Sequence, residues 1–155
     1  MKIRTFVFAA LVTLGAIAAS AIPSQGASSA PLGYQLMCLK TPAECKGGGA
    51  SSVKAKGEIM QTLTAVNSSV NRSIRPRNDG GADVWSVNVT SGDCEDYALT
   101  KRRALIKAGL PPSALRIAYV KTRSGEGNAI LVVKTSKDDF ALDNLHKSVR
   151  PLSQT

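Results

Sequence analysis

The change of period after Gly109 constrains the fold of this chain more than any other feature. Before it, Tyr97, Ala98, Ala104, Leu105 and Ala108 recur at helical spacing, with the Lys101 stem on the same face. Gly109 suits a helix C-terminus, and Pro111-Pro112 prevents continuation. After it, Leu115 to Lys121, Ala129 to Thr135 and Phe140 to Asp143 read as three short strands. Thr122 to Gly127 and Lys137-Asp138-Asp139 are the turns between them. A helix followed by an antiparallel meander makes an α+β domain. Lys101, Arg102, Arg103 and Lys107 fall toward the C-terminal half of the helix, where they are expected to complement its dipole.

A second helix is expected upstream, from Ser52 to Ser73. Ile59, Leu63, Val66 and Val70 mark its apolar face, with Met60 beside them. Lys54, Glu58, Gln61 and Asn71 mark the polar one, and Arg75-Pro76 ends it. Asn78-Asp79-Gly80-Gly81 is a turn signal. The segment from Asp83 to Thr90 holds the single tryptophan, Trp85. It reads as a core anchor or as a wall of a cleft beside Cys94, and the short intervening loop favours the wall. Ser24 to Ser52, with Pro31, Pro42 and Gly47-Gly48-Gly49, reads as loop.

The first residues have a different character. Lys2 and Arg4 precede an apolar run from Phe6 to Ala19, and small residues follow it. This is the pattern of a secretory signal peptide, assigned to residues 1–27, with one domain over residues 28–155. The apolar run is short for a membrane span and no later segment is a candidate, so no span is expected after cleavage. The location expected is periplasmic or secreted. Without Lys2 and Arg4 the chain carries a net charge of about +7. Its cations are scattered and not interleaved with aromatics, so no nucleic-acid partner is expected. Cys38 and Cys45 are close enough in sequence to close a disulfide loop in an oxidising compartment, which leaves Cys94 as an odd thiol.

Cys94 stands in Gly92-Asp93-Cys94-Glu95-Asp96, immediately before the helical run. Carboxylates raise a thiol's pKa, so a structural cysteine gains nothing from them. A nucleophile does have a reason to sit there. The helix start offers free N–H groups and partial positive charge that favour thiolate, and a cation can be held by the acids. A long helix on an antiparallel sheet with a cysteine at its start is the layout of papain-like and transglutaminase-like enzymes, which is an analogy of fold.

Three blocks carry a resemblance: Asp83-Val84-Trp85-Ser86-Val87-Asn88; Ser91 to Leu99 with Lys101-Arg102; and Gly125-Glu126-Gly127-Asn128-Ala129-x-Leu131-Val132-Val133 with Leu142-Asp143-Asn144-Leu145. Together they resemble the bacterial transglutaminase-like cysteine peptidases, a family that includes calcium-dependent periplasmic proteases acting on biofilm adhesins. The resemblance spans Leu36 to Pro151. It implies a papain-like/transglutaminase-like α+β fold and a protein or peptide substrate, with a cell-surface adhesin as one type. It implies a Cys-His-Asp triad in which Cys94 is the nucleophile and Asp143 the orienting carboxylate. It also implies Ca2+, with Asp93 and Glu95 as ligands. Two carboxylates leave most of the six to eight oxygens that Ca2+ takes to backbone, water and Asp96 or Asp83.

Two departures accompany the resemblance. The family's histidine should follow Gly127, and this chain has Asn128. An amide does not titrate near neutral pH, so it can neither accept the thiol's proton nor return it to a leaving amine. The sole histidine, His146, lies three residues beyond Asp143. On a continuing strand the two would point to opposite faces, and His146 is expected at the surface. Impaired catalysis follows, with a non-catalytic relative that binds calcium or a peptide as the alternative. The chain also stops at Gln154-Thr155, where family members continue into an aromatic-rich strand. The sheet is therefore expected to lack that strand and to show a bare edge.

Overall fold

A computed structural model describes residues 30–155, so the expected signal peptide lies outside the described residues. The segment read as loop contains helix α1, Leu32–Lys40, and a short 3-10 turn, Pro42–Cys45. The Cys38–Cys45 disulfide ties the two. Gly33 lies so close to Trp85 that a Cβ there would fall 2.3 Å from the indole Cδ1. Helix α2 is Gly57–Ser73, five residues shorter at its start than expected. The missing turn is extended instead: Val53 bridges to the sheet, its N–H bonding Lys134 O and its carbonyl accepting from Ser136 N.

Strands β1, Arg75–Pro76, and β2, Ser91–Gly92, form a small parallel pair leading into helix α3, Cys94–Lys107. Gly109, at φ +92, follows the helix in the left-handed conformation that glycine tolerates. The sheet then runs β3, Leu115–Lys121; β4, Gly127–Val133; β5, Phe140–Leu142; and β6, Arg150–Pro151. It is antiparallel in the order β3-β4-β5-β6. Arg150 and Pro151 pair with Ala141 and Phe140, so β6, two residues long, forms the edge of the described sheet. This is the α+β architecture that the period change implies.

Leu63 of α2, Ala98 and Leu105 of α3, and Leu131, Val133 and Leu142 of the sheet form the main core. The other sheet face gathers Ile130, Val132 and Ala141. This division follows the two-residue alternation of a strand buried on both sides. Two cations of α3 do not serve its dipole as expected. Lys101 is fully buried with its ammonium unpartnered among the described residues, 5.9 Å from the Tyr97 ring centroid. Arg102 turns inward and donates to the carbonyls of Leu115, Glu44 and Lys46, stitching the disulfide loop to the sheet. A guanidinium can serve three acceptors at once because its N–H groups form a fixed fork.

Candidate active site

Helix α3 begins where β2 delivers the chain. The approach is tight: a Cβ on Gly92 would sit 2.0 Å from Asp96 Oδ2. Asp96 accepts from Ser86 N at 2.7 Å, and the Tyr97 hydroxyl donates to Ile74 O at 2.6 Å. These bonds fix the first turn against the Trp85 loop and the end of α2.

Asp93 occupies the N-cap position, yet its carboxylate makes no capping bond. Its Oδ1 is buried without a partner among the described residues, and Oδ2 accepts only a long 3.4 Å contact from Asp79 N. Cys94 is half-buried, and its thiol donates to Glu95 Oε2 at 3.1 Å. The thiol is pushed up to about 12, first by burial, with the Glu95 hydrogen bond and the charges of Glu95 and Asp93 adding to it; the Ala129 backbone N–H opposes them. Glu95 is itself raised to about 8, by burial and then by a hydrogen bond shared with Asp83. Glu95, raised by burial and by Asp83 beside it, and Asp93, with an unused oxygen, form a group short of positive charge. Among the described residues, however, no three His, Cys, Asp or Glu side chains converge as a ready-made metal site.

On the sheet, Asn128 and Asp143 are both buried and adjacent. Asn128 Nδ2 donates to Asp143 Oδ1 at 3.1 Å, and Leu145 N donates to the same oxygen at 2.9 Å. The other carboxylate oxygen meets His146 Nδ1 at 2.8 Å. Burial pushes the Asp143 carboxyl up, but the bonds from Leu145, His146 and Asn128 outweigh it and hold the group below the usual range. The expectation that His146 points away from Asp143 is corrected. Strand β5 stops at Leu142, and the Asp143–Leu145 turn swings His146 back onto the carboxylate. Asn128, Asp143 and His146 line one cavity of about 670 Å³.

Two asparagines that the sequence reading did not recognise hold this turn. Asn67 is fully buried and donates to the carbonyls of His146 and Lys147 at 3.1 Å. Asn71, expected on the polar face of α2, donates instead to the carbonyls of Asp143 and His146. The available signal was Asn67 itself, an amide set on the apolar stripe between Leu63 and Val70. Trp85 is also corrected. It packs with Met37 and Leu99, meets the Tyr34 ring edge-on and donates to Asp83 Oδ2. It is a core anchor, and the cavity it lines with Tyr34 and Tyr119 includes neither Cys94 nor Asn128 among its walls.

The profile of the bacterial transglutaminase-like cysteine proteinases (BTLCP) matches residues 24–155. Among solved structures, calcium-bound LapG of Legionella pneumophila superposes with a TM-score of 0.58 at 26% identity, over 65% of this chain and 61% of that one. LapG of the same organism gives a TM-score of 0.56 at 27% identity, covering 65% and 61%. Its EGTA-treated form gives 0.56 at 27%, covering 65% and 60%. The chain thus spans about three-fifths of the length of these structures. A comparison with curated protein sequences finds no match.

Proposed function

The chain belongs to the bacterial transglutaminase-like cysteine proteinases, and from that premise we propose that it is an exported peptidase of impaired turnover, with Cys94 as nucleophile. The observation that carries the proposal is the hydrogen bond from Asn128 to Asp143. Asp143 is the carboxylate that would orient an imidazole, and on this oxygen it accepts from an amide instead. In peptide hydrolysis the thiol must lose its proton, attack the carbonyl, and see a proton returned to the leaving amine. Asn128 can do neither transfer. The thiol's own proton is directed at Glu95, and burial together with that bond keeps it on the sulfur. Cys94 in its resting state is therefore a thiol.

The acids of the first turn fit a hard cation. Asp93 brings a buried oxygen with no partner among the described residues, and the Glu95 carboxyl is raised by burial and by Asp83 beside it, which a bound cation would offset. Asp93 and Glu95 would hold Ca2+, with backbone and water oxygens completing the shell. When bound, the ion supplies positive charge that offsets the carboxylates' effect on the thiol. LapG in its calcium-bound form supports this reading. No helix among the described residues is long and apolar enough to cross a membrane. A periplasmic or secreted location rests on the export pattern of residues 1–27, and a cell-surface adhesin as substrate rests on family resemblance.

A second reading is favoured by the bond of the thiol to Glu95: a relative that binds calcium or a polypeptide and cleaves nothing. Peptide hydrolysis by the chain and by Asn128→His separates the two. Slow hydrolysis that disappears in Cys94→Ala and rises on the order of a hundredfold or more in Asn128→His supports the impaired peptidase. No hydrolysis in either form supports the binder.

A further inference from the structure

The cavity lined by Asn128 and Asp143, whose walls do not include Cys94, carries more positive charge than that pair accounts for. Its walls include Lys121 and Arg123 at the β3–β4 turn, and Arg150 of β6. None of these three makes an ion pair among the described residues. Among the described residues, Asp143 is the only acidic side chain in the lining, and both its oxygens are already bonded, to Asn128 and Leu145 on one side and His146 on the other. Three unspent cations therefore face one concavity. Such a grouping repels itself and is relieved by an anionic ligand.

Size and lining narrow the ligand. A space of about 670 Å³ is far larger than one inorganic anion requires. Among the described residues no Phe, Tyr or Trp lines it, so they offer no platform there for stacking nucleobases. We propose that this cavity binds an acidic segment of polypeptide, whose Asp or Glu side chains pair with Lys121, Arg123 and Arg150 while its main chain lies beside Asn128. The inference deepens the reading above, because it rests on that site taking polypeptide. It makes the three cations specificity-determining residues for the substrate or partner.

Fluorescence anisotropy of labelled peptides with the full chain tests it. The probes are an alternating Glu-Gly peptide, its Gln-Gly counterpart and an oligothymidylate, with inorganic phosphate as competitor. The Glu-Gly peptide is expected to bind in preference to the others. Arg123→Glu with Arg150→Glu should weaken it by about tenfold. Lys107→Glu, the reversal of one charge on an exposed part of α3 outside the cavity, should leave it within about twofold. Arg123→Gln and Arg150→Gln singly, checked by thermal melting, keep the comparison on folded protein. Equal binding of the Gln-Gly peptide, equal weakening by Lys107→Glu, or tighter binding of the oligothymidylate overturns the proposal, as does displacement of the peptide by phosphate at equal concentration. Binding is read without turnover. A peptide-binding chain that never hydrolyses refutes the peptidase and leaves this inference standing, and the reverse result does the opposite.

Discussion

Asn128 donates from Nδ2 to Oδ1 of Asp143 at 3.1 Å, with both side chains buried. The amide thus gives Asp143 the N–H that an imidazole would, without a second nitrogen able to take a proton. Asn128→His should lower the apparent pKa of Cys94 and speed its alkylation at neutral pH by about tenfold or more. Iodoacetamide labelling followed against pH measures this. In the unaltered chain the rate should still be climbing above pH 9, since the thiol is pushed up to about 12. Identical profiles for the two proteins would remove the argument for a lost base.

Glu95 ties stability to pH. Its carboxyl is raised to about 8 in the folded protein from the ordinary 4.5, by burial and by Asp83 beside it. Between those values the folded state holds the proton more tightly than the unfolded one, so stability falls as pH rises through that window. Glu95→Gln should flatten this fall. Melting temperatures from pH 5 to pH 8 check it, and an unchanged slope in the variant would show that Glu95 is not the source.

Calcium should raise the melting temperature, because it binds the folded acids and not the dispersed ones. The gain is about 2.7 kcal/mol at a hundred times the dissociation constant. Asp93→Asn should abolish most of it, and a chelator should reverse it in the parent. A melting temperature indifferent to calcium would count against Asp93 and Glu95 as ligands.

Much of this was readable beforehand because its causes are local. The α+β order follows from a period that changes at Gly109, and the disulfide from two cysteines at short spacing. The thiol stood out because its neighbours are chemically wrong for a structural cysteine. What escaped depends on where separate segments meet. Asn67 and Asn71 bond carbonyls more than seventy residues away, and no local pattern encodes that. His146 was misplaced because a strand was extended past Leu142, whereas a turn through Asp143 reverses the alternation. The Lys101 stem was placed on the apolar face, but a charge count does not reveal that its ammonium is buried as well or that Arg102 turns inward. Trp85 was given to the wrong neighbour for the same reason.

The turn that carries Asp143 should loosen when its anchors are cut. Asn67→Ala removes the donor to His146 O and Lys147 O. It should cost about 1–3 kcal/mol, the range for stranding buried acceptors. Chemical denaturation measures the loss. A change below about 0.5 kcal/mol would mean that water replaces the amide without penalty.

Lys101→Met should stabilise the protein, since it removes a buried ammonium that has no hydrogen-bond partner among the described residues. Burial lowers the lysine to about 7 from 10.5, partly opposed by Asp143. Its cost is therefore full below pH 7 and fades as pH rises toward 10.5. The gain in melting temperature should be largest near pH 6 and shrink by pH 10. A loss of stability at every pH would instead give the Lys101 charge a net favourable role beside Asp143.

The narrow passage at Gly92 has its own consequence. With 2.0 Å between a would-be methyl and Asp96 Oδ2, even alanine must push the helix's opening turn aside and drag the sulfur with it. On the proposed role of Cys94, silencing would require no alteration of charge or of reactive atoms. One extra carbon, placed two residues ahead of Cys94, would be enough to put the sulfur out of aim.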